Sequence, residues 1–81
     1  MSPAGNADDV KNRVREMRTG KGWTQEQFAI AVGLTRQSVI AIEKGRFTPS
    51  IQTALRLARA LDTSVDHLFW LTGDQGKGEE S

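Results

Sequence analysis

The segment Thr24 to Gly45, TQEQFAIAVGLTRQSVIAIEKG, constrains the fold more tightly than any other part of the chain. Thr24 offers a side-chain oxygen to cap a helix running from Gln25 to Val32. Gly33 ends that helix, since glycine accepts a left-handed backbone without penalty. Thr35 is placed to cap a further helix, about Arg36 to Lys44, which Gly45 closes. Counted from Gln25, a small residue (Ala29) stands fifth and a glycine (Gly33) ninth, with aliphatic residues (Val39 and Ile42) fifteenth and eighteenth. Two helices that cross steeply after a short turn need a small residue where they touch, and Ala29 supplies it. Phe28, Val32, Leu34, Val39 and Ile42 fill the wedge between them. This is the arrangement of a helix-turn-helix, whose second helix lies in the major groove of DNA.

The rest of the chain is read as further short helices. A first helix is expected from about Asp9 to Thr19, capped by Asp8 or Asp9, with Val10, Val14 and Met17 forming one apolar stripe. Gly20 and Gly22 stop it. Pro49 and Ser50 open a fourth helix to about Leu61, whose stripe is Ile51, Leu55, Ala58 and Leu61, widened by Ala54 and Leu57. Thr63 or Ser64 caps a last short helix with Val65, Leu68 and Phe69. The expectation is an all-α bundle of five helices over residues 10–72. Residues 1–9 read as a disordered arm and residues 73–81 as a disordered acidic tail.

Composition excludes several classes. The chain has 81 residues, no cysteine and one histidine, so a disulfide scaffold, a structural zinc site and cysteine catalysis are ruled out. His67 is read as a surface residue. No apolar run approaches the roughly 20 residues that span a membrane. The N-terminus lacks the basic and apolar regions of a signal peptide, and a cytoplasmic protein is expected, on the nucleoid when bound to DNA. Nothing arranges Ser, His and Asp as a triad, and GKG at 20–22 and 76–78 lacks the strand context of a phosphate loop. No enzyme, metal or cofactor is expected.

Charge is unevenly distributed. The net value is +1, yet both ends are acidic. Between them stand ten bases (Lys11, Arg13, Arg15, Arg18, Lys21, Arg36, Lys44, Arg46, Arg56 and Arg59) against five acids (Glu16, Glu26, Glu43, Asp62 and Asp66), a central excess of +5. A basic body points to a polyanionic partner.

With WTQEQFA, VGLTRQSV, AIEKGRFTPS and SVDHLFW in view, the chain resembles the lambda-repressor-like, Cro-type helix-turn-helix regulators, the XRE family, over roughly Val10 to Leu71. The resemblance implies a compact five-helix domain, usually dimeric, that binds pseudo-palindromic operators and regulates transcription; the leading expectation is a homodimeric repressor, although the fold does not encode repression over activation. It implies that Gln25 bonds a phosphate and that Arg18 at the end of helix one pairs with Glu43 on helix three. Removing either partner of such a pair costs roughly 3–5 kcal/mol when burial is complete. It also allows a short C-terminal strand, FWLT, that pairs across the dimer.

The face of the third helix carries the specificity residues. Arg36 and Gln37 stand at its N-terminal end, the part that reaches base edges. Arg bonds guanine O6 and N7 in pairs and Gln bonds adenine N6 and N7, each pair worth about 1–3 kcal/mol of discrimination. Ile40 is read against a thymine methyl, and Ala41 against the same methyl or as a small residue permitting close approach. Lys44, Arg46 and Thr48 are candidate phosphate contacts. Ser38 is a phosphate contact or a first-turn residue. Thr24 is a cap whose neighbouring amides also meet phosphate. Trp23 is assigned to the core, and Phe47 to a plug beneath the loop or a place near the DNA backbone. Trp70 and Leu71 exceed what one helix end buries, so they are assigned to a dimer interface, the alternative being a fold back on helix one. An antitoxin-like module whose main partner is another protein is the competing function.

Overall fold

The computed structural model describes residues 9–72, and the sequence readings for residues 1–8 and 73–81 lie outside them. In chain order the elements are β1 (Val10–Asn12), α1 (Val14–Gly20), α2 (Gln25–Val32), α3 (Arg36–Glu43), α4 (Ile51–Ala60), α5 (Val65–Leu68) and β2 (Phe69–Leu71). Four helices start as their sequences dictate. Thr24, Thr35, Ser50 and Ser64 each accept a hydrogen bond from the backbone N–H three residues on, satisfying one of the donors a helix start leaves free. Thr24 and Gln27 close a full capping box, with bonds of 3.0 and 2.9 Å. Gly33 and Gly45 take φ of +76°, and each is followed by a reverse bond that ties off the helix: Leu34 N–H to Ala29 O after α2, Arg46 N–H to Ala41 O after α3.

The start of the first helix differs from its sequence reading. Residues 10–12 are extended, and the helix begins at Val14. Val10 therefore belongs to a strand, not to a helical stripe, and Asp9 caps nothing. β1 pairs antiparallel with β2 in the register Val10–Leu71, Lys11–Trp70, Asn12–Phe69. The pairing continues through Arg13 N–H to Leu68 O (3.1 Å) and Thr72 N–H to Asp9 O (2.9 Å). The C-terminal strand thus exists and pairs with the start of its own chain. Asn12 performs the capping instead: its Oδ1 accepts from Val14 N–H at 3.0 Å, and its Nδ2 donates to Ile42 O at 2.9 Å.

The core is built from Val14, Phe28, Ala29, Val32, Val39, Ile42, Leu57, Ala58, Leu61 and Leu68, with Met17, Trp23, Leu34, Val65 and Phe69 packed on its edge. Helix α4 presents Ala54, Leu57, Ala58 and Leu61 inward. Ile51 and Leu55, read from sequence as part of its buried stripe, are 75% and 56% exposed. Phe47 is half exposed and plugs nothing. The inward face of α4 is the one meeting α2 and α5, and the apolar residues beyond it are left on the surface.

Candidate nucleic-acid interface

The interface begins with an ion pair that fixes α3. Arg18 and Glu43 have side chains only 8% and 4% exposed. Arg18 Nε donates to Glu43 Oε2 at 2.6 Å, Nη2 to Oε1 at 3.3 Å, and Nη1 to the Trp23 carbonyl at 2.7 Å. This two-pronged contact matches the planar guanidinium to the carboxylate. Gln25 Nε2 donates to the same Glu43 Oε1 at 3.2 Å. One carboxylate thereby gathers the end of α1, the start of α2 and the end of α3. Asn12 adds a fourth tie, to the Ile42 carbonyl beside it. Among the described residues, no buried side-chain polar atom lacks a partner, so the scaffold under α3 is fully satisfied.

The outer face of α3 has the opposite character. Arg36, Gln37, Lys44 and Arg46 are exposed, and none makes a side-chain hydrogen bond or ion pair among the described residues. Ile40 and Ala41 are half-buried and share one shallow concavity with Gln37, Lys44 and Arg46. Three donor-bearing side chains, Gln37, Lys44 and Arg46, thus surround a small apolar floor, which suits a base edge with its methyl group. Ser38 is half-buried and its hydroxyl accepts from Thr35 Oγ1 at 3.0 Å, leaving its own hydrogen free to donate. Thr24 and Gln25 stand at the α2 start; Gln25 keeps one amide hydrogen beyond the one given to Glu43. Thr48 is exposed in the loop after α3.

Two basic residues join this surface that were read from sequence only as charge. Arg15 lines a concavity with Gln25, Ile40 and Lys44, and Lys11 lines another with Lys44 and Thr48. Their signal was tertiary: α1 and β1 carry them to α3 only because Asn12 and Arg18 anchor there. Trp70 and Leu71 are not brought to the α3 face. Trp70 lies under the Arg13 guanidinium, 4.6 Å from carbon Cζ to ring centroid, and Leu71 is 39% exposed opposite Val10. Arg13 Nε also donates to the His67 carbonyl at 2.9 Å, so it clamps the C-terminal strand. His67 is exposed.

A helix held by buried ties and turning unpartnered donors outward, after a glycine turn from a capped helix, defines the helix-turn-helix class. Comparison with known proteins agrees. The helix-turn-helix family model matches residues 14–68. A transcriptional regulator of Bacillus subtilis, YgzD, is 44% identical over 62 residues, 76% of this chain and 94% of that protein. One from Methanothermobacter thermautotrophicus is 45% identical over 69 residues, 84% of this chain and all of the relative. The restriction-modification controller protein C.AhdI from Aeromonas hydrophila superposes with a TM-score of 0.64 at 42% identity, over 68% of this chain and 83% of its own. The chain belongs to the XRE-type helix-turn-helix family of transcriptional regulators. No described helix is long and apolar enough to cross a membrane.

Proposed function

We propose that this chain is a sequence-specific reader of double-stranded DNA that acts as a homodimeric repressor on a two-fold symmetric operator. The observation that carries this reading is the division of α3: an inner side bound into the core by Arg18–Glu43 and Asn12, and an outer side of unpartnered Arg36, Gln37, Lys44 and Arg46. Arg36 and Gln37 read base edges, with Ile40 and Ala41 packing on a thymine methyl. Lys44, Arg46, Thr48, Ser38, Gln25 and the amides beside Thr24 hold phosphates, and Arg15 and Lys11 extend the phosphate track along one strand. These contacts position the protein without reading sequence.

Dimerisation rests on exposed apolar surface. Trp70 and Leu71 offer a strand edge, while Phe47, Ile51 and Leu55 offer a larger group on the loop after α3 and the outer face of α4. Thr48, next to Phe47, shares a concavity with Val10, the strand partner of Leu71. Phe47, Ile51 and Leu55 form the centre of the two-fold contact, with Leu71 and Trp70 at its rim.

Selection from a randomised duplex library at about 150 mM salt, where non-specific phosphate binding is weakened, tests this reading. A symmetric motif with half-sites about 34 Å apart supports it. No enrichment overturns it in favour of a module whose partner is another protein.

A further inference from the structure

A second concave surface lies between the end of α2 and the outer side of α4, lined by Trp23, Ile30, Val32, Gly33, Arg56 and Arg59. Its composition is unusual for a bare surface. Ile30 is 74% exposed on a helix whose other side forms the core. Trp23 is half-buried and held in place, its ring 5.4 Å from that of Phe28 and its carbonyl bound by Arg18. Arg56 and Arg59 stand three residues apart on α4, one turn of one face. Neither side chain makes a hydrogen bond or ion pair among the described residues.

These arginines have no internal task. The carbonyls of Ala29 and Ile30 at the end of α2 are already taken by the Leu34 and Gly33 amides. Arg56 instead lies over bare backbone, since a Cβ placed on Gly33 would stand 3.4 Å from its Nη1. On the neighbouring edge, Asp62 is engaged by Lys21 at 2.9 Å, and Glu26 lies a turn before Ile30, outside the lining. Two free guanidinium groups beside an apolar wall ask for carboxylates beside an apolar anchor. A phosphate backbone would pair the arginines and leave Trp23 and Ile30 wet. This surface also shares no residue with the concavity on α3, so both are open at once.

We infer that the groove formed by Trp23, Ile30, Arg56 and Arg59 docks an acidic amphipathic segment of a partner protein, and does so while α3 is on DNA. The segment presents two carboxylates about one helical turn apart, flanking a leucine-sized side chain. The docking site goes beyond DNA reading and stands without it; only its use while α3 is on DNA rests on that reading.

The test titrates the isotope-labelled full chain with a blocked helical peptide of Glu, Leu and Ala, and with its counterpart in which every Glu is Lys. The acidic peptide is expected to shift the Trp23 indole and the Ile30 and Gly33 amides, equally with and without a selected duplex; the Lys peptide is not. Arg56→Glu with Arg59→Glu is expected to weaken the acidic peptide at least about tenfold and to gain binding to the Lys peptide, a charge-swap signature. Ile30→Ser weakens binding of the acidic peptide without any charge change and leaves duplex affinity within about twofold. The inference is overturned if the shifts fall on Arg36, Lys44 and Arg46, or if charge reversal leaves binding intact. It is also overturned if groove signals move on dilution of the protein alone, which makes a second copy the occupant. Movement of the residue 74–81 amides in the double variant without peptide would make the chain's own acidic end the occupant, with the same consequence.

Discussion

Gln37 and Arg46 are both exposed, and the roles proposed for them differ in the information they carry. Gln37 sits in the first turn of α3, at the end proposed to enter the groove, while Arg46 follows Gly45 beyond the helix. Gln37→Ala is expected to lower affinity for the selected operator about 10- to 100-fold, matching about 1–3 kcal/mol for one bidentate base contact. Affinity for random duplex should barely change. Arg46→Ala is expected to weaken both DNAs alike and to reduce the slope of log affinity against log salt by about one. Fluorescence anisotropy across a salt series reads both effects. Equal losses for Gln37→Ala on the two DNAs would remove its base-reading role. The placement of both residues relative to α3 was legible in sequence because glycine and cap spacing fixed where the helix begins and ends. Arg15 was not, since its place beside Gln25 and Lys44 depends on how α1 crosses α3.

Elements with local causes were legible, and those with distant causes were not. Thr24, Thr35, Ser50 and Ser64 announce their helices within four residues of chain, and all four cap as their chemistry requires. The strand at Val10–Asn12 has its hydrogen-bonding partner at the other end of the fold, so three residues of sequence look equally like a first helical turn. The stripe of α4 misleads for a related reason. Ile51 and Leu55 share helical spacing with Ala58, and only the position of α2 and α5 decides that Ala54 and Leu57 face inward. Asn12 joins the two ends of this argument, because it starts α1 and grips the end of α3. Asn12→Ala would strand the Val14 N–H and leave the Ile42 carbonyl with the Gly45 N–H alone, at an expected cost of about 1–3 kcal/mol in urea unfolding. Operator binding should fall with it, as α3 loses one of its ties. A loss under about 0.5 kcal/mol would show that Arg18–Glu43 alone sets the helix.

At the scale of the molecule, the proposed two-fold reading makes the apolar residues that α4 leaves exposed the means of assembly. Phe47 and Ile51 follow α3 after a short connection, and Leu55 lies one turn further along. A two-fold contact made there holds two copies of α3 at a fixed separation, set by rigid helices and not by a linker. Reading successive major grooves about 34 Å apart requires such a fixed spacing. Ile51→Asp with Leu55→Asp places charges in the contact while touching exposed positions only, so the thermal transition of the monomer fold should hold. Sedimentation equilibrium is expected to show the parent chain as a dimer and the double variant as a monomer. Affinity for the full operator should fall at least about tenfold, because the second half-site no longer adds to the first, while affinity for an isolated half-site is unchanged. Trp70→Ser with Leu71→Ser separates the alternatives: if it dissociates the dimer and the α4 variant does not, the contact runs along β2. A parent chain that sediments as a monomer at micromolar concentration, with operator bound, would end the two-fold reading altogether.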